Sequence, residues 1–225
     1  LIEHDRRPFC LTWTDPYGQM IKPDLMTLPR PDVTVTPIAL DPEVQKIWQT
    51  SRVIHHGDHE AFPVIKLSHP DEFSRQQLER EFHLILRIHR EVPGLPIVQI
   101  DSNPIVDSKG VIWGFRMQRL FKRDVACGSE DQSAAKLRDI RAAVGRLHEA
   151  GFCHCDLQQA NIMKDESGEI TLVDFGLSGR IGEDREENFT AFSLYGLSGK
   201  FTASNDLKSL DRIEQKAQPG WNSVL

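Results

Sequence analysis

The order of segments along the chain predicts an α+β fold in two lobes. Strand-like segments and one long helical segment fill residues 44–119, whereas residues 120–225 combine helical segments with short hairpins. The 225 residues are 39% hydrophobic and 27% charged, which is ordinary usage for one globular domain or two small lobes. We therefore expect an N-terminal arm with short strands over residues 1–43, then a first lobe and a second lobe over the two ranges above.

The charge and the cysteine content restrict the possible partners. There are 27 basic and 33 acidic residues, and the resulting net charge of −6 disfavours a broad surface for nucleic acid or an anionic membrane. No apolar run approaches the roughly 20 residues of a membrane helix. Four unevenly placed cysteines do not make a disulfide scaffold, which favours a reducing, cytoplasmic setting. Because the chain starts at Leu1, we expect a fragment or a processed form.

The first elements are predicted to be short strands. Residues 1–45 are rich in proline and should form an extended arm, with strand character at Phe9–Thr14 and a turn at Asp15–Gly18. Runs of β-branched and aromatic residues then predict three strands of the first lobe. These strands are Val44–Trp48, Arg52–His56 and Ala61–Leu67.

The first lobe should contain one long helix at Ser68–His89. Its apolar residues recur at helical spacing, and Pro70, Asp71 and Glu72 suit a first turn, where the helix dipole favours acidic side chains. The apolar stripe consists of Leu78, Phe82, Ile85 and Ile88. Further strands are expected at Ile97–Ile100, Pro104–Val106 and Val111–Leu120.

The second lobe should begin with a helix capped by Ser133 and stopped by Gly151. Its predicted apolar face consists of Leu137, Ile140, Val144 and Leu147. Short strands should follow at Phe152–Leu157, Ile162–Met163 and Glu169–Val173. A last helix is expected from about Asp206 to Ala217, with Leu207, Leu210 and Ile213 as its apolar residues.

Three polar residues in the second lobe are expected to converge. A tight turn after a short strand would present Asp156 and Asn161 side by side, and the following hairpin would return the chain so that Asp174 faces them. Carboxylate and carboxamide oxygens suit Mg²⁺, which prefers oxygen ligands and phosphate co-ligands. A carboxylate beside the metal ligands can accept a proton from a hydroxyl.

These residues belong to motifs that resemble a known family. HCDLQQAN at His154–Asn161, followed by DFG at Asp174–Gly176, resembles the catalytic and metal-binding loops of the eukaryotic protein-kinase-like superfamily. PVIK at Pro63–Lys66 resembles the strand that carries the family's phosphate-pairing lysine. Glu81 is similar to its glutamate partner. It lies beside the apolar stripe of the long helix, so it needs a cation, and Lys66 is the natural one.

The resemblance implies a two-lobed protein-kinase-like fold, with an antiparallel N-lobe and a mostly helical C-lobe, and it implies roles for individual residues. Lys66, held by Glu81, would pair the phosphates of ATP; Asn161 and Asp174 would hold Mg²⁺; and Asp156 would be the catalytic carboxylate. The adenine ring would bind at the backbone of Gln118, Arg119 and Leu120. Asp206 resembles the buried aspartate that braces the catalytic loop, and His154 would pack on Phe175 as a structural residue.

The sequence departs from the family pattern at four places. No G-x-G-x-x-G loop follows the first strand, so phosphate contacts would rely on the hydroxyls of Thr50 and Ser51. Cys155 replaces the arginine that pairs with an activation-loop phosphate, which puts that mode of control in doubt. Gln158 replaces a lysine that steadies the transferring phosphoryl group. No A-P-E motif occurs before Asp206, and the closeness of this residue to the chain end predicts a shortened C-lobe.

Cys153 and Cys155 are expected to be small buried thiols. On a strand they would share one face, with His154 on the other face, which disfavours a common zinc ion. Their Cα atoms would be roughly 6.5 Å apart on such a strand, at the far edge of disulfide reach.

The sequence therefore predicts a Mg-ATP-dependent phosphotransferase that acts on a hydroxyl acceptor, and we favour an atypical protein-kinase-like enzyme. Gln158 and the missing A-P-E motif keep open a small-molecule kinase of the aminoglycoside- or choline-kinase type. The absent glycine loop keeps open a pseudokinase that acts as a binding or scaffold module. A weaker alternative is that the pocket serves chemistry other than phosphoryl transfer. The acceptor and the oligomeric state do not follow from the residues.

Overall fold

The computed structural model describes residues 2–4, 7–13, 33–37, 42, 54–56, 59–69, 71–122, 130–185 and 199–217. Within these residues, short strands form antiparallel sheets around three α-helices, as the α+β prediction requires. The strands are β1 (Ile2–His4), β2 (Arg7–Trp13), β3 (Val33–Pro37), β4 (Ile54–His56), β5 (Val64–Leu67), β6 (Ile105–Val106), β7 (Ile112–Met117), β8 (Phe121–Lys122), β9 (Phe152–Cys153), β10 (Ile162–Lys164), β11 (Ile170–Leu172) and β12 (Gly179–Arg180). The helices are α1 (Glu72–Glu91), α2 (Glu130–Glu149) and α3 (Ser204–Ala217).

The N-terminal strands form a separate sheet in the order β1-β2-β3. The strand predicted at Phe9–Thr14 is present as β2, and its Trp13 lies opposite Val33 of β3. The predicted turn at Asp15–Gly18 and the predicted strand at Val44–Trp48 lie outside the described residues.

The central sheet has the order β4-β5-β7-β6 and positions the site. Strand β5 lies inside it, with Lys66 opposite Ile54 on one side and Phe115 on the other. Alternation along β5 sends Ile65 and Leu67 into a small cluster with Trp113, so Lys66 faces the opposite side of the sheet.

Helix α1 occupies the predicted place but begins at Glu72. Ser68 lies directly after β5 instead, and its backbone N–H donates to Trp113 O of β7 at 2.9 Å. Asp71 caps the helix, and its Oδ1 accepts a hydrogen bond from the Ser74 backbone N–H at 2.8 Å. All four residues of the predicted stripe are buried, together with Glu81.

The segment Ile97–Ile100 is not a strand, and the prediction there is wrong. Ile97 forms a bridge with Leu172 of β11, whereas Ile100 forms a bridge with Met117 of β7. The segment changes partners midway, so neither ladder extends. It thereby ties the central sheet to the β10–β11 hairpin, and Ile97, Ile100 and Leu172 belong to one hydrophobic core that also contains the stripe of α1.

Helices α2 and α3 differ from prediction in detail. Helix α2 begins at Glu130, so Ser133 lies within the helix and not at its cap. Gly151 follows the helix end with a φ of +85°, as expected of a C-terminal stop. In α3, Leu210 and Ile213 are buried but Leu207 is 48% exposed, because Asp206 and Leu210 take the inward face. No helix in the described part of the chain is long and apolar enough to cross a bilayer.

Candidate active site: a cleft between the central sheet and the catalytic-loop hairpin

Lys66 on β5 is held between two carboxylates. Its Nζ lies 2.8 Å from both carboxylate oxygens of Glu81 and 2.9 Å from Asp174 Oδ1. Burial alone would lower the pKa of Lys66, but the two carboxylates outweigh it, so the pKa lies above its ordinary value. The ammonium is therefore charged at neutral pH and fixed in position.

Glu81 connects helix α1 to the segment after β11. It is 3% exposed, and besides Lys66 it accepts a hydrogen bond from the Phe175 backbone N–H at 3.1 Å. Burial raises the pKa of Glu81, and the ammonium of Lys66 opposes that rise. Three donated hydrogen bonds at its two oxygens hold the carboxylate form, so the glutamate fixes both the lysine and the start of the segment at Phe175.

Asp156 and Asn161 lie side by side, as the motif predicts. Strand β9 ends at Cys153 and not near Leu157, because Cys155 adopts a left-handed backbone with a φ of +63° and turns the chain. A short 3-10 helix at Gln159–Asn161 then brings the Asn161 amide to Asp156, donating to its carbonyl oxygen at 2.9 Å and to its Oδ2 at 3.2 Å. Burial raises the pKa of the Asp156 carboxyl.

Asp174 completes the group from the end of the hairpin. The Val173 backbone N–H donates to Asn161 O at 3.0 Å, which sets the hairpin end against the catalytic loop. Asp174 has a φ of +67°, a conformation that costs a non-glycine residue roughly 1–3 kcal/mol and is found at functional sites. Its side chain is 47% exposed and lines the cleft, while Oδ1 faces Lys66.

Asp206 braces the catalytic loop from helix α3. It is fully buried, and its two oxygens accept hydrogen bonds from the backbone N–H groups of His154 at 2.8 Å and Cys155 at 2.7 Å. The ring of His148 lies 2.9 Å from Oδ2. The buried ring of His154 packs 4.8 Å from the ring of Phe175, which is the contact predicted from the motif.

A cavity of about 540 Å³ lies between the central sheet and the β10–β11 hairpin. This volume suits a ligand of nucleotide size. Its polar end is formed by Lys66, Asn161 and Asp174. Its other walls are mostly apolar and include Val64, Val98, Phe115, Met117, Leu120, Met163 and Val173.

Two of the three residues of the predicted adenine segment line this cavity. Gln118 and Leu120 line it, whereas Arg119 is exposed and lies on the outer surface near Glu60. The backbone N–H of Gln118 already donates to Gln99 O at 3.0 Å. Thr50 and Ser51, the predicted phosphate contacts, lie outside the described residues.

Two groups of the site follow from no motif in the sequence. Lys122 of β8 lines the cavity, although no motif marks it. The guanidinium of Arg185 reaches the position of the absent arginine, with Nη2 3.3 Å from Cys155 Sγ. No spacing rule reveals this contact, because the two residues are thirty positions apart along the chain.

Comparison with known proteins agrees with the geometry. A family model described as protein kinase domain matches residues 53–204, more than half of the chain. The serine/threonine-protein kinase cot-1 of Neurospora crassa is 31% identical over 44% of this chain and 16% of its own length. A probable myosin light chain kinase of Dictyostelium discoideum is 34% identical over 60% of this chain and 35% of its own. The serine/threonine-protein kinase RUNKEL of Arabidopsis thaliana is 44% identical over 48% of this chain and 8% of its own.

The chain thus spans about a third or less of the length of these relatives. The matched residues include β5, α1, the catalytic loop and the DFG segment. The resemblance inferred from the motifs is confirmed: this chain belongs to the protein kinase domain family.

Proposed function

We propose that this chain is a Mg-ATP-dependent phosphotransferase that transfers the γ-phosphate to a hydroxyl group of a protein. The observation that carries the proposal is the group of Lys66, Glu81, Asn161 and Asp174 that lines the cavity. Asp156 adjoins this group through the hydrogen bond from the Asn161 amide. Phosphoryl transfer needs mainly positioning and charge neutralisation, and these groups supply both.

Lys66 is the proposed ligand of the ATP phosphates. Its charge is secured by Glu81, which is part of helix α1, so the ammonium is already placed before nucleotide enters. In the described structure it also contacts Asp174, and phosphate oxygens would compete with that carboxylate for its third hydrogen.

Asn161 and Asp174 are the proposed magnesium ligands. The amide nitrogen of Asn161 donates to Asp156, which leaves its carboxamide oxygen as the possible ligand atom. Asp174 presents a half-exposed carboxylate to the same cavity, so the donor set is the oxygen set that Mg²⁺ prefers. Bound Mg²⁺ would neutralise charge on the phosphates.

Asp156 is the proposed catalytic carboxylate. The Asn161 amide holds it in place, and burial brings its pKa upward, towards the range in which a carboxylate accepts a proton more readily. We propose that it orients the acceptor hydroxyl and takes its proton. Gln158, whose Nε2 is 3.4 Å from Asp156 Oδ2, adds no charge beside this carboxylate.

The apolar part of the cavity is the proposed adenine site, with Leu120 and Met163 among its walls. The division into a first lobe and a second lobe at about residue 119 belongs to this proposal, because the cavity lies where the two would meet. Phosphate contacts by Thr50 and Ser51, and a cytoplasmic setting, also remain predictions.

The relatives support a protein acceptor, because two of those compared are named serine/threonine-protein kinases. Turnover of γ-labelled ATP with protein and small-molecule mixtures separates this acceptor from an aminoglycoside-like or choline-like one. Transfer to small hydroxyl compounds alone would overturn the protein acceptor. No transfer to any acceptor, with nucleotide binding retained, would point to a pseudokinase.

Binding of nucleotide can be tested by thermal shift. A ligand present at 100 times its dissociation constant stabilises the fold by about 2.7 kcal/mol, so Mg-ATP should raise Tm by several degrees. Lys66→Met should abolish most of that shift, whereas Lys109→Met, at an exposed turn, should leave it unchanged. Absence of any shift for the unmodified protein at millimolar Mg-ATP would contradict the proposal.

A further inference from the structure

Two cysteine thiols meet at the start of the catalytic loop. Cys153 Sγ lies 3.4 Å from Cys155 Sγ, and both are free thiols. The expectation that a strand would keep them at the edge of disulfide reach does not apply, since the chain leaves β9 at Cys153 and turns at Cys155. Cys153 is fully buried, whereas Cys155 is partly exposed.

The surroundings make the two thiols different. The contact with Cys153 and the Arg185 guanidinium at 3.3 Å lower the pKa of Cys155, against the opposing effects of burial and of the Asp206 carboxylate. The hydrogen bond with Cys155 and burial both raise the pKa of Cys153, and its S–H can donate to Gly179 O at 3.6 Å. The contact with the Arg185 guanidinium and the partial exposure of Cys155 favour this residue as the nucleophile, with the buried Cys153 thiol within contact distance.

We propose that Cys153 and Cys155 are an oxidisable thiol pair, a modification site that hydrogen peroxide converts to a disulfide. The Cys155 thiolate attacks one peroxide oxygen, the O–O bond breaks, and the leaving hydroxide takes up a proton to give water and Cys155 sulfenic acid. The Cys153 sulfur then attacks the Cys155 sulfur, the S–OH bond breaks, and that hydroxide leaves as water with the Cys153 proton. The pair loses two electrons and peroxide gains them.

The disulfide would act on the catalytic loop. The two sulfurs must approach from 3.4 Å to about 2.05 Å, which requires movement at Cys155 because Cys153 is packed in the core. The Cys155 backbone N–H is anchored to Asp206 at 2.7 Å, and Asp156 is the next residue. Oxidation would therefore displace the anchored turn and the proposed catalytic carboxylate with it.

Peptide mass spectrometry of the full chain tests the pair without any assay of activity. Trypsin should release Leu147–Lys164, which contains both cysteines and no other. The chain is treated with peroxide, the excess is removed with catalase, and the remaining thiols are alkylated with iodoacetamide under denaturing conditions. We then expect this peptide to be unalkylated and about 2 Da lighter than the dithiol form, because two hydrogens are lost. Dithiothreitol before alkylation should restore two alkylated cysteines. Oxidation of Met163 in the same peptide adds about 16 Da, one oxygen, and is distinguishable.

Two variants assign the roles. In Cys153→Ser the sulfenic acid on Cys155 has no partner, so dimedone should label Cys155 after peroxide. In Cys155→Ser, dimedone should not label Cys153, which is buried. The proposal is overturned if both cysteines of the unmodified peptide remain alkylated after peroxide, if Cys155 pairs with Cys10 or Cys127 instead, or if Cys153 is the residue that dimedone labels.

Discussion

Replacing Asp206 with asparagine should destabilise the fold, because this carboxylate holds the catalytic loop through buried hydrogen bonds. It accepts from the backbone N–H groups of His154 and Cys155 and contacts the ring of His148, and it is fully buried. Asparagine has one acceptor oxygen, and its NH₂ group would face the other backbone N–H. One buried donor would therefore lose its acceptor, and the remaining bond would lose its charge assistance.

The expected loss follows from these two changes. A hydrogen bond to a charged group contributes roughly 1.5–3 kcal/mol and a neutral one roughly 0.5–1.5 kcal/mol, so the remaining bond loses about 1–1.5 kcal/mol, and an unsatisfied buried donor costs roughly 1–3 kcal/mol. The sum is about 2–4.5 kcal/mol, a large part of the roughly 5–15 kcal/mol that stabilises a typical domain. We therefore expect a lower urea concentration at the midpoint of unfolding, with unfolding monitored by circular dichroism.

Asp211→Asn is the matched control on the same helix. Its side chain is 63% exposed and lies 3.3 Å from Arg141, so the substitution should change stability by less than about 1 kcal/mol. If Asp206→Asn unfolds within about 0.5 kcal/mol of the unmodified protein, a change typical of surface sites, the bracing role is refuted.

Three further predictions concern single substitutions. Since burial raises the pKa of Asp156, the ionised form of this residue destabilises the folded state at neutral pH, and Asp156→Asn should raise Tm at pH 7. The gain in Tm should shrink as the pH falls through that pKa, because the carboxyl is then protonated; a lower Tm of the variant at pH 7 would contradict this. Gly179→Ala should lower the free energy of unfolding by roughly 1–3 kcal/mol, because the new Cβ would lie 2.5 Å from the buried ring of Phe201. Gly145→Ala, which adds a Cβ into open space on helix α2, should raise it by up to about 1 kcal/mol, and equal unfolding midpoints of the two variants would refute the clash. Asp71→Ala should lower the free energy of unfolding by about 1 kcal/mol at pH 7, because the helix cap is lost. Despite burial, the hydrogen bonds of this cap lower the pKa of the Asp71 carboxyl, so the difference in stability between variant and unmodified protein should shrink only as the pH falls below the ordinary aspartate range. A difference that does not depend on pH would count against the charged cap.

The parts of the site that repeat a local pattern could be predicted from the sequence. Glu81 interrupts the apolar stripe of α1 on its buried side, so its need for a cation was visible, and Lys66 is the residue that contacts it. Asp156 and Asn161 are five residues apart, and the turn that joins them brings their side chains together. In each case the chain itself limits the distance between the partners.

The parts that depend on tertiary context could not be predicted. Ile97–Ile100 has strand character, but its two ends pair with different sheets. The residue in the left-handed conformation is Cys155 and not a glycine, so the residue type does not predict the turn. Without this turn, the contact between the two sulfur atoms could not be predicted. Arg185 reaches that turn only because the segment after the DFG motif folds back on the catalytic loop.

The most direct test of the proposed function is transfer of the γ-phosphate from Mg-ATP to a protein acceptor by three chains. These are the unmodified protein, Asp174→Ala and Asp184→Ala, the last an exposed aspartate in the segment that follows the DFG motif. We predict transfer by the unmodified protein and by Asp184→Ala, and a loss of at least about 100-fold in Asp174→Ala, since charge stabilisation of the transition state is removed. Full transfer by a folded Asp174→Ala variant would contradict the role given to this carboxylate.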